Sequence, residues 1–151
     1  MASKLIAQQA KMETEALAHV TRALKVAIAW VVEGDDLSRK LSSVRFATEL
    51  FQRQIERLFA LEELDGYMEK VCELHPEWTN QVEELKRQHE QFRVVVRKLV
   101  LRLDRASPTD RTKLDAICVE LQEVIQRILD HSRQETDLFV ESLVRDTGGE
   151  G

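Results

Sequence analysis

Two histidines and a carboxylate sit where this chain should be apolar. Near the C-terminus, residues at helical core spacing read Leu114, Ile117, Leu121, Val124, Ile128, then His131 and Glu135, then Leu138. A second series reads Val82, Leu85, His89, Phe92, Val96, Leu99, Leu103. A buried charge costs several kcal/mol unless something pairs with it. Imidazole and carboxylate are also the donors of metal sites, and the inner seam of a helical bundle is where such sites are built. His131 and Glu135 lie four residues apart and so share one helix face. The chemistry expected of this set is coordination of a cation such as iron, manganese or zinc.

Two further segments offer donors. Phe51, Ile55, Leu58, Glu62 and Asp65 follow one another at core spacing, with Glu63 as the neighbouring candidate if that helix is slightly rotated. His19 lies beside the apolar stripe Leu17, Val20, Leu24, Ile28, Val31. At a rise of about 1.5 Å per residue, Glu62 and His89 both stand roughly 20 Å from a turn at His75. His89 and His131 stand roughly 27 and 36 Å from a turn near Ser107, a looser match of depth. His19 reaches the same depth only if residues 35–42 form a loop or a short separate turn, which is expected. Each residue also has a plainer reading. His131 and Glu135 can satisfy each other by a hydrogen bond, His89 can be a satisfied core histidine, and His19 can sit at the core edge. His75, before a proline, reads as a turn residue.

Four helices must carry these groups. The first spans about residues 2–32 and stops at Gly34, a residue suited to a helix C-cap. Asp35, Asp36 and Ser38 can cap the second, which runs to about Leu74 with Gly66 as a weak interior point. His75-Pro76 marks a break, and Pro76 suits the first turn of the third helix, which ends near Arg105. Ser107-Pro108-Thr109-Asp110 opens the fourth, with Ser107 as the cap and Pro108 at the first helical position. It runs to about Arg145, so residues 1–146 form one domain and residues 147–151 a flexible C-terminal tail. Short connections force neighbouring helices antiparallel. The expected architecture is all-α, an up-down-up-down antiparallel four-helix bundle. Trp30, Trp78, Phe46, Phe51 and Phe92 are expected in the core or at its rim. The charge clusters around Arg53 to Arg57 and Lys86 to Glu90 read as solvated faces.

Composition agrees. The chain has 151 residues, 43% hydrophobic and 32% charged, with 5 Gly and 2 Pro, a balance that suits a helical protein able to bury a core. A net charge of −5 without a basic block argues against nucleic acid and anionic membrane as partners. The apolar run from Ala23 to Val32 is too short to span a bilayer. Met1 to Lys11 lacks the pattern of a signal peptide. Cys72 and Cys118, each among apolar residues, read as reduced thiols, which places the protein in the cytoplasm. There is no phosphate-binding glycine loop, no nucleophile beside a base and no Cys-x-x-Cys, so a binding protein is favoured over an enzyme.

The third and fourth helices resemble the hemerythrin-like, or HHE cation-binding, domain. Leu85-Lys86-Arg87-Gln88-His89-Glu90-Gln91-Phe92 is similar to that family's helix with a single histidine after a leucine. Ile128 to Phe139, containing His131, Glu135 and Leu138-Phe139, is similar to its helix with a histidine, a glutamate four later, then Leu-Phe. Glu15-Ala16-Leu17-Ala18-His19 can match its first histidine. The resemblance implies a non-haem di-iron or mononuclear iron centre with His19, Glu62, His89, His131 and Glu135 as ligands. Where the family carries a histidine four residues before the glutamate of its second helix, this chain has Leu58, which removes one ligand.

The resemblance further implies binding or sensing of oxygen, nitric oxide or iron, with a small ligand such as O2 or NO as partner and with Leu58 and Phe92 as apolar residues lining the site. The alternatives are a metal-free bundle acting as a structural or interaction module, through a second copy or another protein, and a ferroxidase-like or peroxide-handling di-metal protein.

Overall fold

The computed structural model describes residues 2–64 and 67–148, with side chains at residue 5 and over residues 8–63 and 68–142. The described residues are all-helical. Four long helices, α1 (Ala2–Ala29), α2 (Ser38–Leu64), α4 (Thr79–Arg105) and α5 (Arg111–Gly148), are joined by a short helix α3 (Tyr67–Leu74) and a 3-10 turn at Pro76–Trp78. Helix α1 packs on α2, α2 on α4, α4 on α5, and α5 back on α1, so the long helices close a ring around one interior. No helix among the described residues is long and apolar enough to cross a membrane.

The core follows the heptad-like spacing of the sequence. All seven seam residues of α4, Val82 to Leu103, are buried, as are Leu114, Ile117, Leu121, Val124, Ile128, His131, Glu135 and Leu138 on α5 and Phe51, Ile55, Leu58 and Glu62 on α2. The apolar residues form two clusters. The larger gathers residues from Leu17 to Ile128, including Phe59 and Phe92. The smaller holds Met68, Val71, Trp78, Val82, Leu85, Leu138 and Phe139. Along α4, His89 falls between Leu85 of the small cluster and Phe92 of the large one. Along α5, His131 and Glu135 fall between Ile128 and Leu138 in the same way. A polar layer therefore divides the core.

Several boundaries differ from the sequence expectation. Helix α1 ends at Ala29 rather than near Val32. Trp30 and Val31 are exposed, so burial offers nothing for extending the helix. The Ile28 carbonyl instead accepts from the buried Lys40 Nζ at 2.9 Å, a cation at a helix C-terminus. Gly34, at φ 93°, takes the left-handed conformation in the loop beyond rather than at the helix end. The expected loop over residues 35–42 is helical from Ser38, whose N–H and hydroxyl bond Asp36 Oδ1 at 3.0 and 2.6 Å. The expected second helix is two elements, α2 and α3; Asp65 and Gly66 lie outside the described residues. The third helix enters through the 3-10 turn and becomes α-helical only at Thr79, while ending at Arg105 as expected.

At the start of α5, Asp110 rather than Ser107 is the cap: its Oδ1 accepts the Lys113 N–H at 3.1 Å. Ser107-Pro108 forms a turn instead, and the Pro108 carbonyl accepts from the Leu37 N–H at 2.8 Å. Arg111 Nη2 reaches the Val32 carbonyl at 2.9 Å and the Gly34 carbonyl at 2.5 Å, which fixes the same pair of loops. The expected C-terminal tail is helical at Thr147 and Gly148, since no breaker precedes them; residues 149–151 lie outside the described residues. Phe46 and Trp30 are exposed, not core: Phe46 lies two residues past the buried Val44, about 200° around the helix. Trp78, Phe51 and Phe92 are buried. Cys72 and Cys118 are free thiols, and burial pushes the Cys118 thiol above its ordinary value.

Candidate metal centre

Helices α2, α4 and α5 each turn one or more polar side chains into the layer between the two apolar clusters. Glu62, His89, His131 and Glu135 are 5%, 0%, 2% and 1% exposed, so none of them relies on bulk water. The imidazoles of His89 and His131 lie 4.8 Å apart between ring centroids, at 65° to one another. Nitrogens of both rings and an oxygen of Glu135 fall within 4.8 Å of one another. His89 Nε2 lies 2.8 Å from Glu135 Oε1 and 3.2 Å from Glu62 Oε2. His131 Nε2 faces Glu135 Oε1 in direct contact, one turn apart on α5. Four inward atoms thus converge from three helices.

The outward nitrogens are engaged elsewhere. His89 Nδ1 is 2.8 Å from Glu63 Oε1, and His131 Nδ1 is 2.5 Å from Gln88 Oε1. An amide oxygen and an ionised carboxylate only accept, so each Nδ1 donates, and in the metal-free protein His89 Nε2 likewise donates to Glu135 Oε1 at 2.8 Å. Aromatic rings hold the imidazoles in plane. Phe59 stacks on His89 at 4.0 Å and 13°, and Phe92 meets His131 edge-on at 5.3 Å. This is the arrangement of ligating histidines, whose second nitrogen is tied to a carboxylate or amide so that the first is aimed at the metal.

The inner atoms are under-satisfied. Glu62 Oε2, His131 Nε2 and Glu135 Oε2 are buried without a hydrogen-bond partner among the described residues. Burial, reinforced by the nearby His89 charge, pushes the His131 imidazole down to about 3, so it is neutral at pH 7. With its proton on Nδ1, its Nε2 presents a bare lone pair to the Glu135 carboxylate. Two acceptors in contact call for a proton or a cation between them. Burial also pushes the Glu62 carboxyl above its ordinary value. Glu63 is the opposite case: partial burial acts to raise it, but hydrogen bonds from Arg93 and His89 hold it below its ordinary value.

The sequence candidates separate cleanly. His89, His131, Glu135 and Glu62 come together, and Glu63 lies outside them on His89 Nδ1, so both glutamates are used, in different places. Phe92 packs on His131, and Leu58 is buried in the large cluster one turn before Glu62. His19 is not part of the centre. It is exposed, two residues past the buried Leu17 and therefore about 200° away on α1, with Nδ1 2.9 Å from Arg22 Nη2. The buried residues described on α1 are Leu17, Thr21, Leu24, Ala27 and Ile28, so among the described residues α1 turns no imidazole or carboxylate inward. His75, expected as a turn residue, does precede the 3-10 turn, but it is buried and stacks on Trp78 at 4.1 Å.

Sequence reasoning missed Gln88, Phe59 and Arg93. The visible signal for Arg93 was its place one turn after His89, opposite the acids Glu56 and Glu63 seven residues apart on α2. The chain matches no family model, no curated protein and no solved structure.

Proposed function

We propose that this protein is a non-haem metal-binding protein in which His89, His131 and Glu135 hold one iron(II) ion, with Glu62 as the fourth protein donor. Two imidazoles and one carboxylate that leave further positions open suit non-haem iron(II). The observation that carries the reading is the pairing of both Nδ1 atoms with outside acceptors while both Nε2 atoms, with Glu135, face a common point. Iron held there would supply an open position for a small ligand such as O2 or NO. The chain's own residues would do the rest. Glu63 and Gln88 orient the rings, and Phe59 and Phe92 exclude bulk water.

The same reading takes the four long helices as an up-down-up-down antiparallel bundle of hemerythrin-like type, located in the cytoplasm. It favours one metal over two, because among the described residues α1 turns no imidazole or carboxylate inward and Leu58 occupies the place of a further ligand on α2. The test is thermal melting of chelator-treated protein before and after anaerobic addition of iron(II). A metal that binds only the folded state at about 100 times its dissociation constant adds about 2.7 kcal/mol, a rise of several degrees for a chain of this size. An unchanged midpoint would favour the second reading, a metal-free bundle in which His131 and Glu135 satisfy each other by sharing a proton.

A further inference from the structure

Arg93 lies one turn after His89 on α4 and touches none of the inner donors. Its guanidinium takes both oxygens of Glu63, at 3.2 and 2.9 Å, and reaches Glu56 Oε2 at 3.2 Å and Glu90 Oε2 at 3.5 Å. It also lies over the Phe59 ring, 5.5 Å from the centroid, and Phe59 stacks on His89. Glu56, Phe59 and Glu63 follow one another by three and four residues, so α2 presents them on one face to His89 and Arg93.

We infer that Arg93 is a positioning residue of the metal centre, acting through Glu63 to hold the His89 ring with Nε2 turned inward. The inference rests on the reading of the cluster as a metal site. Among the described residues Glu63 is the only partner of His89 Nδ1, and its side chain is 24% exposed, so by itself it is free to swing toward water. A bidentate guanidinium removes that freedom, because rotation of the carboxylate breaks two charge-assisted bonds together. Arg93 is fixed in turn by Glu56 and by the face of Phe59. An ordinary surface ion pair would have neither property: Arg93 is only 16% exposed and is shared among three carboxylates. Lysine could supply the charge but not the fork.

The test is cobalt(II) and zinc(II) affinity, measured by competition with a chromophoric chelator, on the full chain, five single variants and the double variant Glu63→Gln with Arg93→Met. Wild type should bind and His131→Ala should not. Glu63→Gln and Arg93→Met should each weaken binding by about 10–100-fold, as outer partners of ligating histidines do. Arg93→Lys should fall between Arg93→Met and wild type. The double variant should bind no more weakly than Glu63→Gln alone, because Arg93 acts only through Glu63. Arg102→Met, which breaks the exposed pair with Glu120, should leave affinity unchanged. The Arg93→Met and Glu63→Gln cobalt spectra should also shift in the same direction, a change that loss of stability alone does not produce. If Arg93→Met fails to fold, Arg93→Lys and Glu63→Gln carry the comparison. An Arg93→Met affinity within about twofold of wild type, a loss that adds to that of Glu63→Gln, or an equal loss in Arg102→Met overturns the inference. Equal binding by wild type and His131→Ala overturns the metal reading itself.

Discussion

Replacing His89 by phenylalanine isolates the electrostatics of the polar layer. A phenyl ring can keep the stack on Phe59 at 4.0 Å, so packing is largely preserved. What disappears is the donor that bridges Glu135 and Glu63. Glu63 keeps Arg93, and Glu62 is already pushed toward its neutral form. Glu135 is then left buried without a cation. Removing one partner of a buried pair costs roughly 3–5 kcal/mol. The escape is protonation, which costs about 1.4 kcal/mol more for each pH unit above the ordinary carboxylate range and is therefore far cheaper at pH 5.5 than at pH 8. The expected loss for the chelated protein is therefore about 4–5 kcal/mol at pH 8 and about 1–2 at pH 5.5. With a urea m-value of about 2 kcal/mol per molar, the midpoint should drop by about 2 M at pH 8 and by less than about 1 M at pH 5.5. A drop below about 0.5 M at pH 8, or equal drops at both values, would refute the reasoning.

Other outcomes follow from the same geometry. The His131 imidazole is pushed from 6.5 to about 3, so its contribution to stability is present above about 6.5 and is lost as pH falls toward 3. Against His131→Phe, chelated wild type should lose up to about 1.4 kcal/mol more per pH unit between these limits in urea unfolding; parallel curves would contradict a neutral buried ring. Glu62 acts in the other sense, since its raised value adds stability that is lost as pH rises through it; Glu62→Gln should flatten the alkaline side of the same profile. Thr21 Oγ1 is buried without a partner among the described residues, whereas Thr14, Thr48 and Thr136 each bond the carbonyl four residues back. Thr21→Val should therefore raise stability by about 1 kcal/mol in urea unfolding, and a comparable loss would show that the hydroxyl is satisfied.

Periodicity made the core legible. Each residue placed on the α4 and α5 seams is buried, because on a helix in a closed ring the face is set by spacing alone. The polar interruptions at His89, His131 and Glu135 were legible for the same reason. His19 was not. It sits two residues past Leu17, and only a rotation fixed by packing of Leu17, Leu24 and Ile28 decides that it faces water. Glu62 and Glu63 could not be separated in sequence because adjacent residues differ by 100° and both can face a partner helix. The structure uses that ambiguity, with one oxygen set on each side of the His89 ring. Gln88 and Arg93 were hidden because they act across helices, through α4–α5 and α2–α4 contacts that no local pattern records. Helix ends were the least legible feature, since Asp110 and Ser107 are both competent caps and the choice depends on the Leu37–Pro108 loop contact.

The most direct measurement is anomalous diffraction from crystals of this chain grown anaerobically with iron(II), with data collected across the iron edge. The account predicts one peak per chain, about 2.0–2.2 Å from the Nε2 atoms of His89 and His131 and from a Glu135 oxygen, and none in His131→Ala. An anomalous map without a peak there, or with iron held equally in both proteins by exposed carboxylates, would contradict it.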